Sequence, residues 1–227
     1  MAAKRAAAVG AVIALAGCLD APPSGNADAP DDDAGVVSAP DAGADCQIAD
    51  RPCVAAADFH DSFGDLSAWE IGGDQCDFDG GDGMRITRNG GSYCVARTTA
   101  TVDLRCSSVH VHLDPVASAG SDASLSFISN ENYYYIERKP PTIEVGVCPP
   151  LQACTTLAFT DYDPAQHLRW RLRASATQIL AEVGGPDEGL TWTLLGAIPG
   201  VDPGELVCGT VELGNYMDGD TPSVARF

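Results

Sequence analysis

The chain has 227 residues, enough for one well-packed core. It carries 32 Asp and Glu against 13 Lys and Arg, a formal net charge of -19 at neutral pH. Such an acid excess repels phosphate backbones, which excludes nucleic acid as a partner.

Lys4-Arg5 precedes an apolar run from Ala6 to Ala16, which is shorter than the roughly 20 residues needed to cross a bilayer. A charged head, a short apolar run and small residues ahead of a cut mark an export signal. Leu15-Ala16-Gly17-Cys18 resembles the lipobox of bacterial lipoprotein signal peptides. The resemblance implies that residues 1–17 are a removable signal peptide and that the Cys18 thiol carries lipid. Each buried acyl methylene contributes about 0.8 kcal/mol, so two or three chains would anchor the protein to the membrane permanently. It also implies an outer-membrane address, because Leu19 stands where Asp would retain the protein at the inner membrane. The plainer alternative is an ordinary signal peptide cut near Ala16.

Residues 18–45 follow the leader and are almost wholly Ala, Pro, Asp, Gly and Ser. They cannot bury enough apolar surface to offset chain entropy, so a disordered acidic linker is expected. Of nine cysteines, Cys18 is taken by lipid, and the remainder is even. In an exported chain that reads as a disulfide framework. Close spacing favours Cys46–Cys53, a clasp over residues 46–54, and Cys148–Cys154. For the other four the expectation is Cys76–Cys94 and Cys106–Cys208. No cysteine pair has the two-residue gap of a zinc knuckle.

The globular domain is expected over residues 55–227. Met84–Thr87 and Ser92–Thr98 flank Asn89-Gly90-Gly91, a hairpin signal. Val109, Val111 and Leu113 alternate with His110 and His112. Ser124–Ser129 and Tyr133–Lys139 flank Asn130-Glu131-Asn132, a second hairpin. Thr142–Cys148 and Cys154–Thr160 flank a Pro-Pro tip. Leu168, Trp170 and Leu172 alternate with His167, Arg169, Arg171 and Arg173. Gln178–Val183 and Thr191–Leu195 flank a Gly-Pro turn, and Val207–Leu213 and Ser223–Phe227 end the chain. No helical period appears beyond the leader, so the pattern is all-β, a sandwich or barrel. Trp170 and Trp192 sit in apolar register and are expected in the core.

Two stretches carry a resemblance. Phe63-Gly64-Asp65-Leu66-Ser67-Ala68-Trp69 resembles the opening of concanavalin A-like jelly-roll domains, and Tyr162–Arg173 resembles one of their strands. Ile179–Trp192 is similar to their following hairpin, though Asp187-Glu188-Gly189 replaces the usual Asp-Gly and a Ser is missing. Asp220–Phe227 resembles the closing strand. The resemblance implies a two-sheet antiparallel jelly-roll sandwich, laminin-G or lectin-like, whose relatives often bind glycans and sometimes hydrolyse β-glucans.

Candidate sites are few. Tyr133 and Tyr135 share one strand face and could stack on sugar rings, or pack across strands. Arg169, Arg171 and Arg173 form a basic stripe that could hold an anionic glycan, or pair with local carboxylates. Asp74, Asp77, Asp79 and Asp82 are expected in a Gly-rich loop, Gly72–Gly83, where the candidate cofactor is calcium; ordinary turn chemistry is the alternative. His110 and His112 share a face near Asp114, a geometry open to a transition metal or to half-exposed strand residues. The strand motif of the hydrolase branch, Glu-x-Asp-x-x-Glu, is absent, although Glu131, Glu137 and Glu144 lie near one another. The expected function is therefore a non-catalytic, glycan-binding domain on the cell envelope. Its alternatives are a structural component that meets envelope proteins and a divergent glycoside hydrolase. Replacing Cys18→Ser should move the protein from the membrane fraction to the soluble fraction; an equally membrane-bound variant would refute the anchor.

Overall fold

The computed structural model describes residues 63–227 except 82, 106, 117, 119, 176, 187–190 and 217–221. The expected signal peptide, lipidated Cys18, acidic linker and Cys46–Cys53 clasp lie outside these residues. Among the described residues no helix is long and apolar enough to cross a membrane.

The strands are Trp69–Gly73 (β1), Cys76–Asp79 (β2), Arg85–Arg88 (β3), Tyr93–Thr98 (β4), Ser108–His112 (β5), Asp122–Ser129 (β6) and Asn132–Lys139 (β7). They continue with Thr142–Cys148 (β8), Thr155–Asp161 (β9), Arg169–Ser175 (β10), Gln178–Gly184 (β11), Thr193–Pro199 (β12), Thr210–Tyr216 (β13) and Ser223–Arg226 (β14). A seven-stranded sheet runs β1-β4-β13-β6-β7-β8-β9. Across from it lie a four-stranded sheet, β12-β11-β10-β5, and a three-stranded sheet, β14-β3-β2. The two smaller sheets adjoin where Asp114 N–H donates to the Arg226 carbonyl, 2.8 Å away. The pairing is antiparallel throughout. The fold is the expected antiparallel jelly-roll sandwich.

Alternation with period two builds the core. Ala123, Leu125 and Phe127 of β6 turn inward, and so do Val109 and Val111 of β5 and Trp170 and Leu172 of β10; all are fully buried. Trp170 completes its burial by donating its indole N–H to the His167 carbonyl at 2.8 Å. Such burial contributes roughly 1.5–3 kcal/mol per large apolar side chain. The expected hairpins β6–β7, β8–β9 and β11–β12 all form.

Two expectations need correction. Asn89-Gly90-Gly91 does not close a hairpin: β3 pairs with β2 and β14, whereas β4 pairs with β1 and β13. Ile86 and Arg88 of β3 and Cys94 and Ala96 of β4 all turn inward, so the two strands face one another across the sandwich. The turn therefore passes the chain from one layer to the other. The last long strand also starts late, at Thr210. Asp202 caps a 3-10 turn, Pro203–Leu206, by accepting from Gly204 N–H at 2.7 Å.

Disulfides reinforce this layering. Cys76–Cys94 joins β2 to β4 and so ties the layers together, while Cys148–Cys154 closes the β8–β9 tip. Cys208 is disulfide-bonded; Cys106, its expected partner, lies outside the described residues. The cross-layer bond closes a loop with a sequence separation of 18. Loop-closure entropy makes such a bond worth about 3 kcal/mol. The double change Cys76→Ser/Cys94→Ser should lower unfolding stability by about that amount in urea titration.

Candidate functional site

The outer face of the seven-stranded sheet carries a groove of about 870 Å³. Its floor is made of small residues on the middle strands: Ser124 and Ser126 of β6, with Gly214 beside them on β13. Larger side chains rise around this floor. β7 contributes Tyr133, Tyr135, Glu137 and Lys139; β4 contributes Tyr93 and Arg97; β13 contributes Glu212 and Tyr216. All stand at alternate positions opposite the core-facing set, which is why one face can be apolar and the other polar.

Two glycines seat the aromatic walls. A Cβ on Gly146 would meet the Tyr135 hydroxyl at 2.3 Å, and one on Gly214 would meet the Tyr216 ring at 2.3 Å. Each tyrosine therefore lies flat across a strand that offers it no side chain. Tyr216 also stacks on Tyr93, with ring centroids 6.5 Å apart.

At one end, Arg97 and Glu212 form an ion pair at 2.8 Å. Arg97 Nη2 also donates to the Tyr133 hydroxyl at 3.0 Å, and the Tyr216 hydroxyl donates to Glu212 Oε1 at 2.9 Å. Glu212 is only 1% exposed, so these partners are what make its charge tolerable there. At the other end, Lys139 Nζ sits 3.0 Å from Glu137 and 2.6 Å from Glu144. Burial pushes the Glu137 carboxyl above the usual range; Lys139 opposes the shift, while Glu144 and Asp122 add to it. Burial pushes the Tyr135 and Tyr216 hydroxyls up as well. The Ser124 hydroxyl on the floor is buried without a hydrogen-bond partner.

Tyr133 and Tyr135 thus meet in one groove. Arg169 and Arg171 do not join them, because β10 belongs to the opposite layer and turns them to the other outer surface. There Arg171 and Arg173 both pair with Glu182, at 2.6 and 2.9 Å. Trp192, expected in the core, instead lies half-buried on this surface beneath Arg169 and Arg171, whose guanidinium carbons are 5.1 and 4.3 Å from the ring centroid. His110 and His112 stand opposite Arg171 and Arg169 in the register. Burial and then Arg169 push His112 down, with Asp114 opposing. Cationic neighbours of this kind disfavour a metal ion.

Asp77 and Asp79 lie on a strand, not in a loop, and Asp77 accepts from the Asn89 amide at 2.7 Å. Asp74 precedes that strand, and Asp82 lies outside the described residues. Among the described residues no three His, Cys, Asp or Glu side chains gather as metal ligands.

Arg97, Glu212, Tyr216, Tyr93 and Lys139 are groove residues that sequence reasoning missed. Their signal is an outward register position on strands whose neighbours are remote in the chain.

Glu182 gives a pH prediction. Burial raises its pKa, but Arg173 and Arg171 outweigh that and hold it below the usual carboxylate value. A depressed folded-state pKa contributes stability above the unfolded value and loses it as pH falls through the folded one. Glu182→Gln should therefore be less stable than the parent at neutral pH. The difference in melting temperature should shrink as pH falls below about 4.

No family model matches the chain, and no curated protein matches it. Among solved structures, it is similar to the VIP36 exoplasmic/lumenal domain in its Ca2+/Man3GlcNAc-bound form, at TM-score 0.50 and 14% identity, over 70% of this chain and 80% of that one. The Ca2+/Man2-bound form of the same domain follows at TM-score 0.49 and 14% identity, over 70% and 78%. The Emp46p carbohydrate recognition domain, solved as a point mutant, gives TM-score 0.45 and 9% identity, over 73% and 88%. At such an identity the likeness to the first of these speaks for the fold alone, an antiparallel jelly roll.

Proposed function

We propose that the chain is a non-catalytic glycan-binding module, held at the bacterial cell envelope by lipid on Cys18. The observation that carries the glycan reading is the groove. It offers tyrosine faces for sugar rings and fixed charged hydrogen-bonding groups for hydroxyls, on a rigid sheet. The VIP36 domain was solved with a mannose-containing glycan and calcium, which agrees with this use of the fold but does not by itself extend to this chain.

The groove is assigned no metal, because the described residues form no cluster to hold one. Hydrolysis would need one protonated acid and one separate base across the scissile bond. Glu137 and Glu144 instead share one ammonium, Lys139. A second reading, an interaction protein of the envelope, is favoured by one observation. The end strands β9 and β12 expose Leu157, Phe159 and Leu194.

The test is a glycan array and calorimetry on the full chain with oxidised disulfides, in calcium and in chelator. Saturable binding to a defined glycan is expected. Tyr133→Ala should weaken it about tenfold or more, roughly 1.4 kcal/mol, with the chain still folded at the assay temperature by circular dichroism. Silence on every glycan from a folded, oxidised chain would sink the reading and leave the interaction protein.

A further inference from the structure

We propose that the open edge of β9 is an interface between two copies of this chain. The copies pair antiparallel through Phe159 and join their seven-stranded sheets into one.

Among the described residues, β1, β2, β9 and β12 end the sheets. An edge strand offers unpaired N–H and C=O groups to any other strand, and proteins guard such edges with charge or proline. β1 carries exposed Glu70, β2 carries exposed Asp77 and Asp79, and β12 ends in Pro199. β9 has no such guard before its last residue, Asp161. Yet all its residues but Ala158 are exposed, Phe159 by 72%.

The surroundings of this edge suit a second copy. From Val145 to Thr160 no residue is charged. The uncharged strand β12 lies alongside, with Gly196 so close that an added Cβ would meet that of Ala158 at 2.8 Å. This side of the sandwich is where two chains of formal net charge -19 approach with least repulsion.

The backbone singles out Phe159. Tyr162 N–H donates to the Pro141 carbonyl at 2.8 Å, one step beyond the pair Thr142 and Asp161. Bonded and non-bonded pairs alternate along an antiparallel ladder. Thr160 and Ala158 therefore turn their backbone groups to β8, while Asp161 and Phe159 turn theirs to the open edge. The irregularity in register, between Val145 and Gly146, falls short of this stretch. With Phe159 on a two-fold axis, each copy donates its Phe159 N–H and accepts the other's, and the two rings lie side by side. Asp161 then faces the copy's Leu157, so no carboxylate opposes another. Pairing within one sheet keeps its faces continuous, so both grooves open on the same side. On the glycan reading such a pair would hold a repeating glycan at two points, but the interface does not depend on that reading.

The experiment is sedimentation equilibrium on the full, oxidised chain, produced without lipid so that no acyl chain can cluster it. A monomer–dimer equilibrium is expected, and it should tighten as salt is raised and screens the like net charges. Phe159→Lys sets two ammonium groups beside the axis and should raise the dissociation constant about tenfold or more. Phe159→Pro removes the donor that the copy needs but no bond within the sheet, and should do the same. Should the proline variant fail to fold by circular dichroism, the lysine variant carries the test. A chain that stays monomeric at every concentration and salt overturns the proposal. So does an assembly larger than a dimer, or a dimer that either folded variant leaves intact.

Discussion

The middle strands of the seven-stranded sheet, β13, β6 and β7, are buried on both faces, and on the outer one the buried groups are polar and charged. Ser124, Ser126, Glu137 and Glu212 are all at or below 9% exposure on that side. A charge so placed is tolerable only when partnered. The architecture of the groove follows from that demand. Arg97 is aimed by Glu212, Glu212 by Tyr216, Tyr133 by Arg97, and Lys139 by its flanking carboxylates. Arg97 draws its partners Tyr133 and Glu212 from strands remote in the chain, so that end of the polar network and the strand order specify one another.

The second layer allows the first to be this polar. Trp170, Leu172 and the alternating valines of β5 press on the inner face and supply the apolar burial that the outer face lacks. Cys76–Cys94 holds one half of that layer against β4, the strand that carries Arg97 and Tyr93. On the remaining surface the arginines of β10 are spent on Glu182 and on Trp192, so the most basic stretch of an acidic chain is occupied in covering a tryptophan.

Strand identity was readable because inward and outward residues alternate cleanly, as in Val109 to Leu113 and Leu168 to Arg173. Local pairings such as β6–β7 and the Cys148–Cys154 tip followed from turn chemistry. The turn at Asn89-Gly90-Gly91 was misread because the same residues serve a hairpin and a crossing between layers; only the facing of Ile86 and Ala96 across the core tells them apart. Tyr133 and Tyr135 were visible because one strand carries both. Arg97 and Glu212 were not, since they meet only when β4 lies beside β13, across a sequence separation of 115. Local pattern does not contain that adjacency.

The tyrosines seated on Gly146 and Gly214 have a consequence for how this surface can diversify. A side chain at either glycine would unseat the ring above it, so the platform is constrained by positions that offer no functional group of their own. The exposed edge is freer, because an exchange at Glu70 alters the charge that the groove presents without touching the rings. Descendants of this chain would then keep a common aromatic platform and change ligands by rewriting charge at its edge, with the two glycines as silent guardians of the shape.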